Sequence, residues 1–198
     1  MEIETQHGLA RAEVLPGDGD GVLVLGHGAG GGTHAPDLRA AGAVARGLGW
    51  SVVFVDQPYR VAGRRAPAPA AQLDVAWLAV LAALREKGVI GSGPLVVGGR
   101  SSGARVACRT ADDGAATGVV CLAFPLHPPG RANDPTKSRL PELDAVRVPV
   151  LIVQGESDPF GMPPEDDNRR IVRLRGNHSL RSDMPGLRSA VEAWLPTL

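Results

Sequence analysis

Two hydrophobic rhythms alternate along this chain. Short unbroken apolar runs at Val22–Gly26, Ser51–Val55, Pro94–Gly99, Gly118–Phe124 and Val148–Val153 are bounded by Gly, Pro or polar residues. Runs of this length without alternation predict strands covered on both faces. Between them lie stretches with helical spacing. Leu38–Leu48 is rich in Ala and Leu and stops at Gly49. Gln72–Lys87 carries Leu73, Ala76, Trp77, Val80, Leu81 and Leu84 on one face and stops at Gly88. Both predict helices, as do Gly103–Ala111 and Leu187–Trp194. Ile171–Leu174 predicts one more strand. Ile3–Thr5 and Ala10–Leu15 predict an N-terminal hairpin turning near His7-Gly8. Ala66–Ala71 reads as a lead-in to the helix that follows it. Pro125–Pro141 holds five prolines and reads as loop.

Strands that alternate with helices predict βαβ units and a mainly parallel, twisted sheet with helices on both faces, an α/β fold. The length of 198 residues suits one domain spanning 1–198, with no segment long enough for a separate cap. In such a sheet, ligands bind beyond the carboxyl ends of the strands. The residues found there are His27-Gly28-Ala29-Gly30, Asp56-Gln57-Pro58-Tyr59, Ser101, His127, Asp158 and His178. A set this polar, gathered at one edge, points to chemistry.

Composition narrows the classes. Lys and Arg number 21 against 21 Asp and Glu, so the chain lacks the basic footprint of a nucleic-acid binder or of a protein for anionic membranes. No apolar run reaches the length of a membrane-spanning helix, and the acidic start Met1-Glu2-Ile3-Glu4 has no signal-peptide core, so a cytoplasmic location is expected. The two cysteines, Cys108 and Cys121, sit in apolar surroundings and are expected to be buried reduced thiols. No His/Cys spacing suggests a metal, and no Gly run ends in the Lys-Ser/Thr of a phosphate loop.

Gly99-Arg100-Ser101-Ser102-Gly103 lies between a strand and a helix. A Ser there, with Gly two residues before and after, has the form of a nucleophile elbow. The nucleophile occupies a strained turn that projects its hydroxyl, and side chains at the flanking glycines would collide with neighbouring elements. Such a serine needs a base to take its proton and an acid group to orient that base. Of five histidines (His7, His27, His34, His127 and His178), the chain order favours His178, after the last strand. Asp158 follows the Val148–Val153 strand and is the candidate acid, with Glu156, Asp166 and Asp167 as rivals. Oxyanion donors are expected from the Ser102 N–H and from the loop His27–Gly32, at Ala29 or Gly30, with Ala29 preferred. His27 itself reads as a structural hydrogen-bonding residue.

The same loop also matches a dinucleotide fingerprint, Gly26-x-Gly28-x-x-Gly31, with Asp56 closing the next strand. In that motif the last Gly opens the helix. Here Gly32-Thr33-His34-Ala35-Pro36 intervenes, and a nucleotide site would leave Ser101, Asp158 and His178 unexplained.

With the elbow, the His27–Gly32 loop, Gly155–Gly161 and Gly176–Ser179 in this order, the chain resembles an α/β-hydrolase. It resembles most the small cap-less branch near dienelactone hydrolases and the testis-expressed-type hydrolase-like proteins, which Gln57-Pro58-Tyr59-Arg60 also resembles. The resemblance spans nearly the whole chain. It implies hydrolysis of a small ester or thioester without cofactor. The dienelactone hydrolases use Cys as nucleophile, a departure from Ser101 that counts against dienelactone chemistry here. The alternative is a catalytically silent hydrolase-like binding or scaffold protein, since the branch also resembles a subunit of a chromatin-associated complex. Arg60, Arg64 and Arg65 follow a strand end on the predicted site side and could receive a carboxylate or phosphate. Arg100 either points to the site or anchors the loop. Gly30, Tyr59, His127 and Phe160 are candidate pocket residues.

Overall fold

A computed structural model describes residues 1–131 and 134–198. Among the described residues eight strands form one sheet: β1 (Glu2–Thr5), β2 (Gly8–Leu15), β3 (Val22–Gly26), β4 (Ser51–Asp56), β5 (Leu95–Arg100), β6 (Gly118–Leu122), β7 (Val150–Gly155) and β8 (Arg169–Leu174). Their order is β1-β2-β4-β3-β5-β6-β7-β8. The β1–β2 and β2–β4 pairs are antiparallel, and every pair from β4–β3 to β7–β8 is parallel. Successive residues of the central strands face opposite sides. Val22 and Val24 pack under α3 (Ala70–Glu86) and α4 (Ser102–Arg109), whereas Leu23 and Leu25 pack under α1 (Pro36–Gly47) and α6 (Met184–Trp194). This double cover is why the strands read as unbroken apolar runs.

The predicted elements are present, with shifted ends. The elbow strand runs on through Gly98, Gly99 and Arg100, so Ser101 follows it directly. Two short helices were not expected. α2 (Pro58–Val61) is a single turn after β4. α5 (Leu140–Asp144) falls at the end of the proline-rich stretch expected to be loop. Pro141 is accepted in its first turn, where no N–H is needed, and Leu143 is fully buried against the α4 side of the sheet. Among the described residues no helix is long and apolar enough to cross a membrane. The thiols of Cys108 and Cys121 are free and buried, with their sulfurs 3.5 Å apart.

The topology places the site. The chain goes from β3 outward to β4, then crosses back to β5 on the other side of β3. That reversal opens a crevice at the carboxyl ends of β3 and β5. Gly26 and Gly99 are register partners there, so the loop after β3 and the turn after β5 leave the sheet side by side.

Candidate active site

Ser101 has φ 52° and ψ −107°. A non-glycine residue in this region carries strain on the order of 1–3 kcal/mol and persists only where its surroundings impose it. The Ser101 N–H donates to the Leu122 carbonyl at 2.9 Å, and the Ser101 carbonyl accepts from Arg105 in the first turn of α4. Close packing does the rest. A Cβ on Gly103 would lie 2.6 Å from the Gly26 carbonyl carbon and 2.8 Å from the His27 oxygen. One on Gly99 would lie 2.8 Å from the Gly103 carbonyl carbon. The two flanking glycines let α4 start flush against β3.

The turn aims Ser101 at the loops that follow β7 and β8. The Oγ of Ser101 lies 3.0 Å from His178 Nε2, and His178 Nδ1 lies 2.8 Å from Asp158 Oδ2. With Nδ1 donating to the carboxylate, Nε2 is left as an acceptor for the Ser101 proton. The Asp158 carboxylate is almost wholly buried, whereas the imidazole keeps a 17% exposed edge. Gln154 donates from Nε2 to the other lone pair of Asp158 Oδ2 at 2.9 Å, and the Phe160 N–H donates to Oδ1 at 2.9 Å. The Phe160 ring leans on the imidazole with centroids 4.4 Å apart. The loop that carries His178 crosses β7 at Gly155, where a Cβ would meet the Asn177 carbonyl carbon at 2.8 Å.

The loop after β3 folds over the same point. Ala29 is half-buried, and among the described residues its N–H donates to no other group. Its carbonyl accepts from the Tyr59 hydroxyl at 2.8 Å. Burial pushes the Tyr59 phenol up to about 12, so it remains a donor. His27 braces the loop from beneath. Its Nε2 accepts from the Gln57 N–H at 3.1 Å, which leaves the proton on Nδ1, 2.8 Å from the Gly28 carbonyl. Burial lowers its pKa and keeps it neutral. Ser102 opens α4, and the first N–H groups of a helix have no intrahelical acceptor.

This arrangement of strand order, elbow and loops is matched in sequence as well. Residues 19–181 fit the family model described as alpha/beta hydrolase domain. The chain belongs to that family. Solved structures with the same fold include a lid-less α/β serine hydrolase of Xanthomonas campestris, at TM-score 0.78 and 19% identity over all of this chain and 93% of that one. Est1E of Butyrivibrio proteoclasticus, solved with ferulic acid bound, gives 0.79 and 16% over 100% and 98%. A dienelactone hydrolase of Anabaena variabilis gives 0.74 and 15% over 100% and 95%.

The other candidates in this α/β-hydrolase lie elsewhere or do something different. Arg100 anchors. Its Nε pairs with the buried Asp37 at 2.7 Å and its Nη2 donates to the His178 carbonyl at 2.9 Å. Burial holds the Asp37 carboxyl above its ordinary range, and the Arg100 guanidinium offsets only part of that rise. Tyr59 is buried and holds the Ala29 loop. Gly30 is exposed at the loop tip with open space around it. His127 is tied to the Phe160 segment, its N–H donating to the Phe160 carbonyl at 2.9 Å. Among the rival acids, Glu156 is exposed, and Asp166 pairs with Arg169 at the start of β8, the opposite end of the sheet. Asp167 sits beside it. His7 lies in the β1–β2 turn and His34 beside Arg39, and neither is the histidine bonded to Ser101. Gln154 and Asp37 were not anticipated. The signal for Gln154 was present: a single amide inside the fully buried run of β7. The loop that mimics a dinucleotide motif packs its Gly26 and Gly28 on the elbow, and α1 starts only at Pro36. Among the described residues no group of three or more His, Cys, Asp or Glu could hold a metal ion.

Proposed function

We propose that this protein is a cofactor-independent serine hydrolase of small ester or thioester substrates, working through an acyl-enzyme. The observation that carries this reading is the continuous relay from the strained Ser101 hydroxyl through His178 to buried Asp158. A strained serine with an aligned base costs stability, and a scaffold has no use for it. Family membership and the hydrolase neighbours support the same reading. The expected location is the cytoplasm.

The chemistry follows the geometry. Ser101 Oγ attacks the substrate carbonyl while its proton moves to His178 Nε2. Asp158 holds the imidazole in the accepting tautomer and balances the imidazolium that forms. The N–H groups of Ser102 and Ala29 face the developing oxyanion. Collapse of the tetrahedral adduct breaks the ester bond, and His178 returns the proton to the leaving alcohol or thiol. Water then repeats the attack on the acyl-serine, with His178 as base, and releases the acid.

The test is labelling with a fluorophosphonate probe and turnover of p-nitrophenyl acetate. Mass spectrometry should find the label on Ser101. The Ser101→Ala protein should lose kcat by a factor on the order of 10⁴–10⁶. Absence of labelling, with turnover equal to that of Ser101→Ala, overturns the proposal in favour of a non-enzymatic binding protein.

A further inference from the structure

Beside the serine lies a cleft of about 470 Å³ whose lining is basic. Gly28 and Ser179 form the side towards the relay: Gly28 lies against Ser101, and Ser179 follows His178. Arg60, Arg100, Arg181, His34 and Asp37 supply the rest of its polar wall. The arginines are not equivalent. Arg100 is neutralised by Asp37, which also faces the cleft. Arg60 and Arg181 have no carboxylate within 4.0 Å among the described residues. Among the described residues the Arg60 side chain makes one hydrogen bond, a long one of 3.4 Å to the Arg64 carbonyl. Asp56 lies nearby, with Oδ2 3.5 Å from the Thr33 hydroxyl, and forms no ion pair with Arg60 within 4.0 Å. His34 accepts from Arg39 at Nδ1, which leaves Nε2 as a donor. The N-terminal end of α1 borders the same space through Ala35 and Pro36, its first turn already served by the Asp37 carboxylate, which accepts from the Leu38 N–H at 3.0 Å. Arg64 and Arg65 do not take part. Arg64 faces a separate cavity behind Tyr59, and Arg65 does not line the cleft, whereas the exposed Arg181 does.

We infer that this cleft is an anion subsite, and that the substrates of Ser101 are esters or thioesters carrying a carboxylate or phosphate a few bonds from the scissile carbonyl. This rests on the hydrolase reading and adds the substrate class to it. Two guanidiniums without a carboxylate partner among the described residues, in a cleft that borders the nucleophile, give a planar oxyanion the fork contacts it prefers. A neutral ester leaves both guanidiniums unpaired.

The experiment compares mono-(4-nitrophenyl) succinate with 4-nitrophenyl butyrate, which differ at the acyl terminus by a carboxylate. The ratio of their kcat/KM values should favour the succinate in the unmodified protein. It should fall about tenfold in Arg60→Gln and again in Arg181→Gln, mainly through KM. Added salt should lower it too. Succinate and inorganic phosphate as competitors against the butyrate ester separate the two anion types. A ratio that moves less than about twofold in both variants overturns the inference while leaving the hydrolase reading intact. Calorimetric titration of the Ser101→Ala protein with succinate separates the two failures. Heat that disappears in Ser101→Ala/Arg60→Gln supports the subsite even if neither ester turns over. No heat with Ser101 still labelled by the fluorophosphonate overturns the inference alone, and no heat with no labelling removes both.

Discussion

Gln154→Leu is the sharpest test of how the acid end of the relay is held. The side chain is fully buried in β7. Its Nε2 serves three acceptors: the Phe124 carbonyl at 3.0 Å, Asp158 Oδ2 at 2.9 Å and the Gly161 carbonyl at 3.0 Å. An amide has two hydrogens, so three acceptors share two donors. Leucine fills nearly the same volume but returns no donor. The lost bond to a carboxylate is worth about 1.5–3 kcal/mol and each carbonyl bond about 0.5–1.5 kcal/mol. Burying the added methyls recovers about 1 kcal/mol. The net loss is therefore about 1.5–5 kcal/mol. Urea unfolding followed by tryptophan fluorescence should show the midpoint falling by about 1–2 M. Asp158 would keep only His178 on Oδ2, so the imidazole should wander, and fluorophosphonate labelling of Ser101 should slow by about tenfold or more at saturating probe. Gln154→Glu keeps the shape but sets a second carboxyl against Asp158, and should be at least as damaging. A Gln154→Leu protein within about 0.5 kcal/mol of the parent and labelled at the same rate would refute the argument.

Tyr59→Phe removes the clasp on the Ala29 carbonyl and little else, so kcat for an ester should fall about tenfold with KM nearly unchanged; an unchanged kcat would mean the loop holds itself. The stability of the protein should fall as pH drops below about 6.5. The folded His27 has a pKa lowered from 6.5 by burial, so the unfolded chain takes up the proton first, and the stability present above that pH drains away on acidification. Melting temperatures between about pH 7.5 and 5.5 should show this slope, flattened in His27→Asn; equal slopes in both proteins would assign the effect to other groups.

Much of the fold could be read because its central strands are covered on both faces and leave uninterrupted apolar runs. β3, β4 and β5 are examples. The elbow could be read for a different reason: Gly99 and Gly103 are demanded by contacts closer than any Cβ allows. What stayed hidden depends on partners distant in sequence. α2 and α5 are single turns whose helical spacing is too short to show. Arg100 looked equally suited to substrate or scaffold until α1 brought Asp37 to it, 63 positions back along the chain, and the last loop brought the His178 carbonyl. Tyr59 likewise has the composition of a pocket wall, and only the path of the Ala29 loop turns it into a support.

The guanidinium of Arg100 also bears on how the protein fails. One side chain ties the residue before the nucleophile, the start of α1 and the segment bearing His178. Those three parts come from the middle, the front and the back of the chain. None can drift alone while this knot holds, and all are freed together when it loosens. Heat inactivation should therefore run as one sharp step, with no plateau of half-active molecules, and a protease cut near residue 178 should silence Ser101 as completely as unfolding does.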